Sequence, residues 1–313
     1  MSRVYEALQR SQGEKPSSPL VPDQPEAAAT AAAVAASGTM FATAEPADAG
    51  VLNVPSDRIL HPVPTPEQRL VAIAEPNGTG AEMFRVLATR LAHMQNKRRL
   101  QKLLITSSVV DEGKSVVAVN LGLTLARRPN TRVLLIEADL RRPTASHLLS
   151  SSPLRGINDW NEGNLALEDS LYQIRDTPMW LLPAGHPINE PLPLLESEKF
   201  ARMLDTISAH FDWVLLDATP MLPMADSTSL SRLCDGVLVV VREGVTRKKI
   251  LNKAVACIEK SKLVGVVFNQ SSTLNVDYDH YYGTNHSNGK AKSKKEAKKN
   301  VQKDTDQVKA ASA

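Results

Sequence analysis

The sequence has few residues that bind metals through sulfur and few aromatic residues. It holds 2 cysteines in 313 residues, and Cys234 and Cys257 lack the close spacing of metal ligands, so we expect reduced, packed thiols. Its 7 histidines are scattered without paired spacing and indicate no metal site. No aromatic residue interleaves with the lysines near the C-terminus, so nucleic-acid bases have no stacking platform there. A nucleic-acid partner is therefore disfavoured.

Long apolar runs are also missing. No window holds 18 consecutive apolar residues, and the N-terminus lacks the apolar core of a signal peptide. We expect a cytoplasmic protein that is recruited to the inner face of the cell membrane. The net charge of +3 hides a surplus of lysines between Lys290 and Lys309. Two interpretations of this tail stay open: contact with anionic membrane lipid, or a solvated segment that keeps the protein soluble.

Composition divides the chain into three parts. Residues 1–79 hold a short amphipathic stretch at 2–12 and a segment rich in Ala, Pro, Ser and Thr from Ser17 to Pro64. Such a segment buries too little apolar surface to offset ordering, so we predict a short helix and a disordered linker. Residues 80–270 have the apolar pattern of one α/β domain, and 271–313 hold a tyrosine cluster and a Lys-rich tail, predicted to be disordered.

Strand and helix patterns alternate through the predicted domain after an amphipathic helix at 82–96. Strands are predicted at 102–106, 132–138, 180–182, 213–217, 236–241 and 264–269, and helices at 114–126, 197–208, 226–233 and 247–260. Several strands are apolar on both faces, which is typical of a parallel sheet covered by helices. The sequence predicts a doubly wound, mostly parallel α/β sheet of the P-loop NTPase type, with ligands at the carboxyl ends of its strands.

Gly113, Lys114 and Ser115 stand between a predicted strand and a predicted helix. In this context backbone N–H groups cradle phosphates, the lysine reaches the β- and γ-phosphates of a nucleotide, and the hydroxyl binds Mg²⁺. Ser108 stands where the usual loop has its first glycine. The alternative is a chance match on a surface turn, which the flanking strand and helix disfavour.

Two further predicted strands lead into carboxylates. Glu137 and Asp139 would point the same way from an extended chain, so both could face one Mg²⁺–phosphate group. Asp217 ends an apolar run in a Walker B pattern, whose aspartate binds Mg²⁺ directly or through water. Any of these carboxylates alone could simply end a strand at the solvent. Together with the loop, and in this order of strands, they favour a nucleotide site.

The sequence resembles the bacterial tyrosine kinases (BY-kinases), which belong to the deviant P-loop group beside the partitioning and septum-positioning ATPases. The resemblance covers roughly residues 80–282 and rests on the loop, on Asp-Leu-Arg-Arg-Pro at 139–143, on Pro-Ala-Gly at 183–185 and on Gly-Val-Val-Phe-Asn at 265–269. Val109 stands where partitioning ATPases carry an extra lysine, which counts against that branch.

The resemblance implies an ATP-dependent protein-tyrosine autokinase that regulates exopolysaccharide synthesis and export, with ATP and Mg²⁺ as cofactors. It implies catalytic roles for Lys114, Glu137, Asp139 and Asp217, with Ser115, Asp139 and Asp217 as metal ligands. Glu137, which replaces the family's aspartate, would accept the tyrosine proton. The residues implied in nucleotide binding are Ser108, Glu112, Gly113, Lys114, Ser115, Val116, Arg141 and Asn269.

Tyr278, Tyr281 and Tyr282 follow the last predicted strand. The family phosphorylates such a cluster between neighbouring subunits, which implies autophosphorylation of these tyrosines and a homo-oligomer. The alternative is an aromatic turn that packs on the domain. Because the chain lacks the membrane segment of the fused type, we expect a separate membrane-bound polysaccharide co-polymerase as its activator.

The loop departs from the family pattern, with Val110 and Asp111 in place of Pro-Gly and Val116 in place of Thr. Asp111 places a carboxylate beside phosphate and removes a glycine from a tight turn, so we expect weakened ATP binding. Two alternatives to an active kinase therefore stay open. One is a catalytically degenerate nucleotide-binding regulator or scaffold of the polysaccharide machinery, and the other is a partitioning-type P-loop ATPase.

Overall fold

The computed structural model describes residues 55–270, and the strands of this part form one sheet. Its order is β1-β4-β5-β3-β6-β2-β7-β8, and neighbours pair in parallel except β4 with β5. The predicted mostly parallel α/β sheet is confirmed. The strands are β1 Ile59–Leu60, β2 Lys102–Ser107, β3 Val133–Glu137, β4 Tyr172–Ile174, β5 Met179–Leu182, β6 Trp213–Asp217, β7 Gly236–Arg242 and β8 Leu263–Asn269.

Helices connect and cover these strands. Within residues 55–270 the α-helices are α1 Val71–Ala74, α2 Thr79–Gln95, α3 Lys114–Leu125, α4 Ala145–Leu149, α5 Ile157–Asn161, α6 Leu192–Leu195, α7 Glu198–Ser208, α8 Asp226–Leu233 and α9 Lys248–Ala256. Short 3₁₀ helices lie at Ser56–Arg58, Pro66–Gln68 and Glu168–Ser170. In this same part of the chain, no helix combines the length and apolar character needed to span a bilayer.

The core lies around α3 and the central strands. Every residue of β2, β3 and β6 is buried, and α3 is buried on nearly all sides because its sequence is apolar all round. Gly122 lets α3 pack closely on the sheet, since a Cβ there would lie 2.8 Å from Cε of Met179. The start of α3 and the loop before it are thus fixed by the buried core of the domain.

Residues 55–79 belong to the folded domain, so the predicted domain start at residue 80 comes too late and the predicted linker extends too far. Strand β1 pairs with β4, and Leu60 and Leu70 are buried. The side chain of Asn120 in α3 accepts from the N–H of Ala72 at 2.9 Å and donates to the carbonyl of Arg69 at 3.0 Å. The sequence did not reveal this because the segment has no apolar period of its own, and its partners lie far along the chain.

The two cysteines differ in environment. Cys234 is buried, as predicted, whereas Cys257 follows α9 and is exposed, so the expectation of a packed thiol is wrong for Cys257. The predicted helix at 2–12, the linker as far as residue 54, the tyrosine cluster and the Lys-rich tail lie outside the described residues.

Candidate functional site

Three adjacent strands bring the candidate site residues to one edge of the sheet. In the order β3-β6-β2, Asp217 pairs in register with Glu137 on one side and with Ile105 on the other. The loop that follows β2 therefore lies beside the carboxyl ends of β3 and β6. This is the edge where open α/β sheets bind their ligands.

Lys114 stands at the centre of this edge. Its Nζ lies 2.9 Å from Oδ2 of Asp139, 3.6 Å from Oδ1 of Asp217 and 3.3 Å from the hydroxyl of Ser115. Burial disfavours the ammonium, but its attraction to Asp217 and Asp139 outweighs burial and raises the pKa of Lys114 above its ordinary value. The lysine is therefore charged at neutral pH.

Asp217 is fully buried at the end of β6. Burial raises the pKa of its carboxyl to about 6, and the Lys114 charge limits the rise. Beside Lys114, the Ser115 hydroxyl also stabilises the ionised carboxyl of Asp217, and no other hydrogen-bond donor within residues 55–270 reaches its oxygens. With Asp139 and the Ser115 hydroxyl near the same ammonium, this makes a set of hard oxygen donors. Such oxygens are the ligands Mg²⁺ takes beside a nucleotide, so these residues fit the expected metal.

The loop before α3 needs left-handed backbone at two positions, with φ of 62° at Asp111 and 84° at Gly113. The first helical hydrogen bond of α3 runs from the N–H of Val117 to the carbonyl of Gly113. The N–H groups of residues 114–116 precede it and have no acceptor within the helix, so they form the positive end of its dipole. Val116 belongs to this first turn. These N–H groups suit a phosphate.

Glu137 and Asp139 do not share one direction, contrary to the expectation from an extended chain. The N–H groups of Ala138 and Asp139 both donate to the carbonyl of Asp217, at 2.8 and 2.9 Å, which ends the extended backbone at β3. Asp139 consequently faces Lys114. The buried Glu137 instead accepts from the N–H and hydroxyl of Ser146 at 3.0 and 3.2 Å, and from the N–H of Ala184 at 3.1 Å.

The side chains of Arg141 and Asn269 already have hydrogen-bond partners within the protein. Arg141 Nε contacts Oδ2 of the buried Asp226 at 2.9 Å, and its guanidinium also donates to the carbonyl of Asn189. Asn269 Nδ2 donates to the carbonyl of Glu112 at 2.9 Å. Asp226 was not among the candidate residues, because a carboxylate that begins a helix is common in any protein.

Comparison with known proteins adds to this geometry. No protein-family model matches the chain. Over 220 residues, 70% of this chain and 92% of the relative, it is 29% identical to the tyrosine-protein kinase YwqD of Bacillus subtilis (strain 168). It is also 29% identical over 213 residues to the succinoglycan biosynthesis transport protein ExoP of Rhizobium meliloti (strain 1021). That match covers 66% of this chain and 27% of ExoP.

Solved structures give the same result. The kinase domain of the Escherichia coli tyrosine kinase ETK is 26% identical and superimposes with a TM-score of 0.59. The match covers 65% of this chain and 82% of that domain. The strand order, the loop and the carboxylates at one sheet edge agree with the sequence likeness to these kinases. In sequence and in fold the chain therefore resembles the bacterial tyrosine kinases.

Proposed function

We propose that the protein is an ATP-dependent protein-tyrosine kinase that phosphorylates its own C-terminal tyrosines and regulates exopolysaccharide synthesis and export. The observation that carries the proposal is the position of Lys114 between Asp139 and Asp217, beside the start of α3. The tyrosine kinase names of YwqD and ETK support the activity. The succinoglycan biosynthesis transport name of ExoP supports the polysaccharide role.

In this proposal each residue at the edge has one task. Lys114 binds the β- and γ-phosphates, and the N–H groups at the start of α3 bind phosphate oxygens. Ser115, Asp139 and Asp217 hold Mg²⁺, which when bound neutralises charge on the phosphates. Lys114 exchanges its contact with Asp139 for phosphate, since one ammonium cannot serve both fully.

The phenol of the acceptor tyrosine has a pKa of about 10, so a positioned base is needed to remove its proton during phosphoryl transfer. Glu137 takes this role in the proposal, and its carboxylate must first give up the donors on Ser146 or Ala184. Because Glu137 accepts three hydrogen bonds, we expect slow turnover in this proposal. A second function rests on that observation: a nucleotide-binding regulator in which Glu137 is only a structural anchor.

Phosphotyrosine mapping tests the kinase proposal. Purified protein is incubated with Mg·ATP and the cytoplasmic segment of its membrane activator, and Tyr278, Tyr281 and Tyr282 are examined by mass spectrometry. We expect phosphate on these tyrosines and none in Lys114→Met. A wild-type protein as silent as Lys114→Met contradicts the kinase proposal.

Glu137→Asp separates the two functions, because it restores the shorter side chain of the family. If the wild type is a degenerate regulator, it binds Mg·ATP without phosphorylation, and Glu137→Asp gains activity. If Glu137 is the working base, the wild type is active. A carboxylate moved by on the order of 1 Å can change the rate about 100-fold, so this difference is measurable.

The proposal includes a membrane-bound polysaccharide co-polymerase as activator, a homo-oligomer and contact of the Lys-rich tail with anionic lipid. The segment that matches this chain makes up 27% of the length of ExoP. The name of ExoP as a transport protein supports a link between this domain and a transport protein. Co-sedimentation with vesicles that contain anionic lipid tests the tail, with a chain truncated at residue 289 as control. Equal sedimentation of both chains would argue against a role of the tail.

A further inference from the structure

We infer that Glu112 is a positioning residue that holds the phosphate-binding loop in shape, an inference that rests on the nucleotide site proposed above. Glu112 is 3% exposed, and its side chain turns back to the start of its own loop. Its Oε2 accepts hydrogen bonds from the N–H of Ser108 at 2.6 Å and of Val109 at 3.0 Å. Its Oε1 accepts from the hydroxyl of Thr246, in the turn after β7.

The direction of the last bond follows from a neighbour. The Thr246 hydroxyl oxygen accepts from the N–H of Arg242 at 3.3 Å, which leaves its proton for Glu112. The backbone of Glu112 is held as well, because its carbonyl accepts a hydrogen bond from Asn269 Nδ2 at 2.9 Å. One residue thus joins the loop to the ends of both β7 and β8.

The composition of the loop explains why it needs the hydrogen bonds of Glu112. Ser108 replaces the first glycine of the usual motif, and Asp111 adopts a φ of 62° without being glycine. Consecutive N–H groups in a turn form an anion-binding concavity, and here a carboxylate of the protein fills it at Ser108 and Val109. Phosphate binding is then left to Lys114 and to the N–H groups that begin α3.

The competing interpretation is that the Glu112 charge acts on the nucleotide or its metal. The geometry disfavours it, because three donors of the protein already occupy the two carboxylate oxygens. A glutamine at this position keeps an oxygen for the two N–H groups and places an amide beside Thr246, but carries no charge. Positioning therefore predicts rescue by glutamine, and direct action of the charge predicts none.

The test compares Glu112→Ala and Glu112→Gln in the full chain. Amide hydrogen exchange of Ser108 and Val109 is measured without nucleotide, and Mg·ATP affinity by isothermal titration. We expect Glu112→Ala to speed exchange of both amides and to weaken Mg·ATP about tenfold or more, as loss of charge-assisted hydrogen bonds implies. Glu112→Gln should keep the protection and bind within about threefold of wild type. Glu259→Ala, at an exposed glutamate after α9, is the matched control.

Unchanged exchange in Glu112→Ala, or a Glu112→Gln protein as weak in Mg·ATP as Glu112→Ala, overturns the inference. If Glu112→Ala does not fold, Thr246→Val serves instead, because it removes one of the three donors to Glu112. Faster amide exchange at Ser108 in Thr246→Val then supports the inference, and unchanged exchange contradicts it. A wild type that binds no Mg·ATP defeats the proposed function, but the exchange data without nucleotide still decide the role of Glu112.

Discussion

Replacing Gly113 by alanine should destabilise the domain more than the same change at a matched glycine. Gly113 has a φ of 84°, a left-handed conformation that side chains disfavour. A Cβ there would lie 2.1 Å from Nδ2 of Asn269, far closer than two such atoms can approach. The Asn269 amide must move away, and it then loses its hydrogen bond to the Glu112 carbonyl.

The magnitude has two parts. Left-handed backbone costs an alanine about 1–2 kcal/mol. The lost hydrogen bond adds about 1–3 kcal/mol if the Glu112 carbonyl stays unpaired. Gly163 supplies the control, because its φ is 79° and its added Cβ would have no described atom within 4 Å. Gly163→Ala should therefore lose only the backbone part.

The assay is unfolding by urea and by heat for the wild type and both variants. We expect Gly113→Ala to lose about 1–3 kcal/mol more than Gly163→Ala. This extra loss corresponds to a Tm lower by roughly 2–4 °C per kcal/mol in a domain of this size. Mg·ATP affinity should fall in Gly113→Ala alone. Equal unfolding free energies of the two variants would refute the argument that Asn269 restrains the loop.

Three further predictions concern charge and exposure. Because the pKa of Asp217 is raised to about 6 from 3.8, the folded state holds its proton more tightly than the unfolded chain, and the free energy of unfolding should fall as pH rises from about 4 to 6. Urea titrations should show Asp217→Asn without this fall and about 3 kcal/mol more stable at pH 7. A parallel pH dependence in both proteins would contradict this prediction. Asp111→Gly should bind Mg·ATP about fivefold more tightly by isothermal titration, because a carboxylate leaves the loop, and unchanged affinity would mean that Asp111 does not weaken the site. A thiol reagent should modify Cys257 in the native protein and reach Cys234 only after unfolding. The reason is that Cys234 is buried and that burial raises its pKa to about 12. Equal rates of modification at both thiols would contradict the burial of Cys234.

The central strands could be predicted from sequence because runs such as Val-Leu-Leu-Ile at 133–136 are apolar on both faces. Strands β1 and β4 could not, because they have two and three residues and gain their stability from neighbours in the sheet. The loop at 113–115 was likewise visible as a motif, and its distance to the carboxylates followed from strand order.

The partners of the site residues were not predictable. The orientation of Glu137 depends on Ser146 and Ala184, which lie 9 and 47 residues away along the chain. Thr246 stands in a turn without a motif, and its bond to Glu112 spans 134 residues. Sequence patterns report periodicity and short spacing, whereas these contacts are set by which loops the sheet order brings together.

Charge balance links the observations at the sheet edge. Asp217, Asp139 and Glu137 all attract the single ammonium of Lys114, so negative groups outnumber the positive one by two. The raised pKa of Asp217 is one consequence of burial in such a set. A divalent cation offsets an excess of this size, which is why these residues suit Mg²⁺ better than a neutral ligand. An active kinase and a nucleotide-binding regulator share this charge balance, because both need the metal and the lysine. The two functions differ only in whether Glu137 leaves Ser146 and Ala184 to accept a proton, so that residue decides between them.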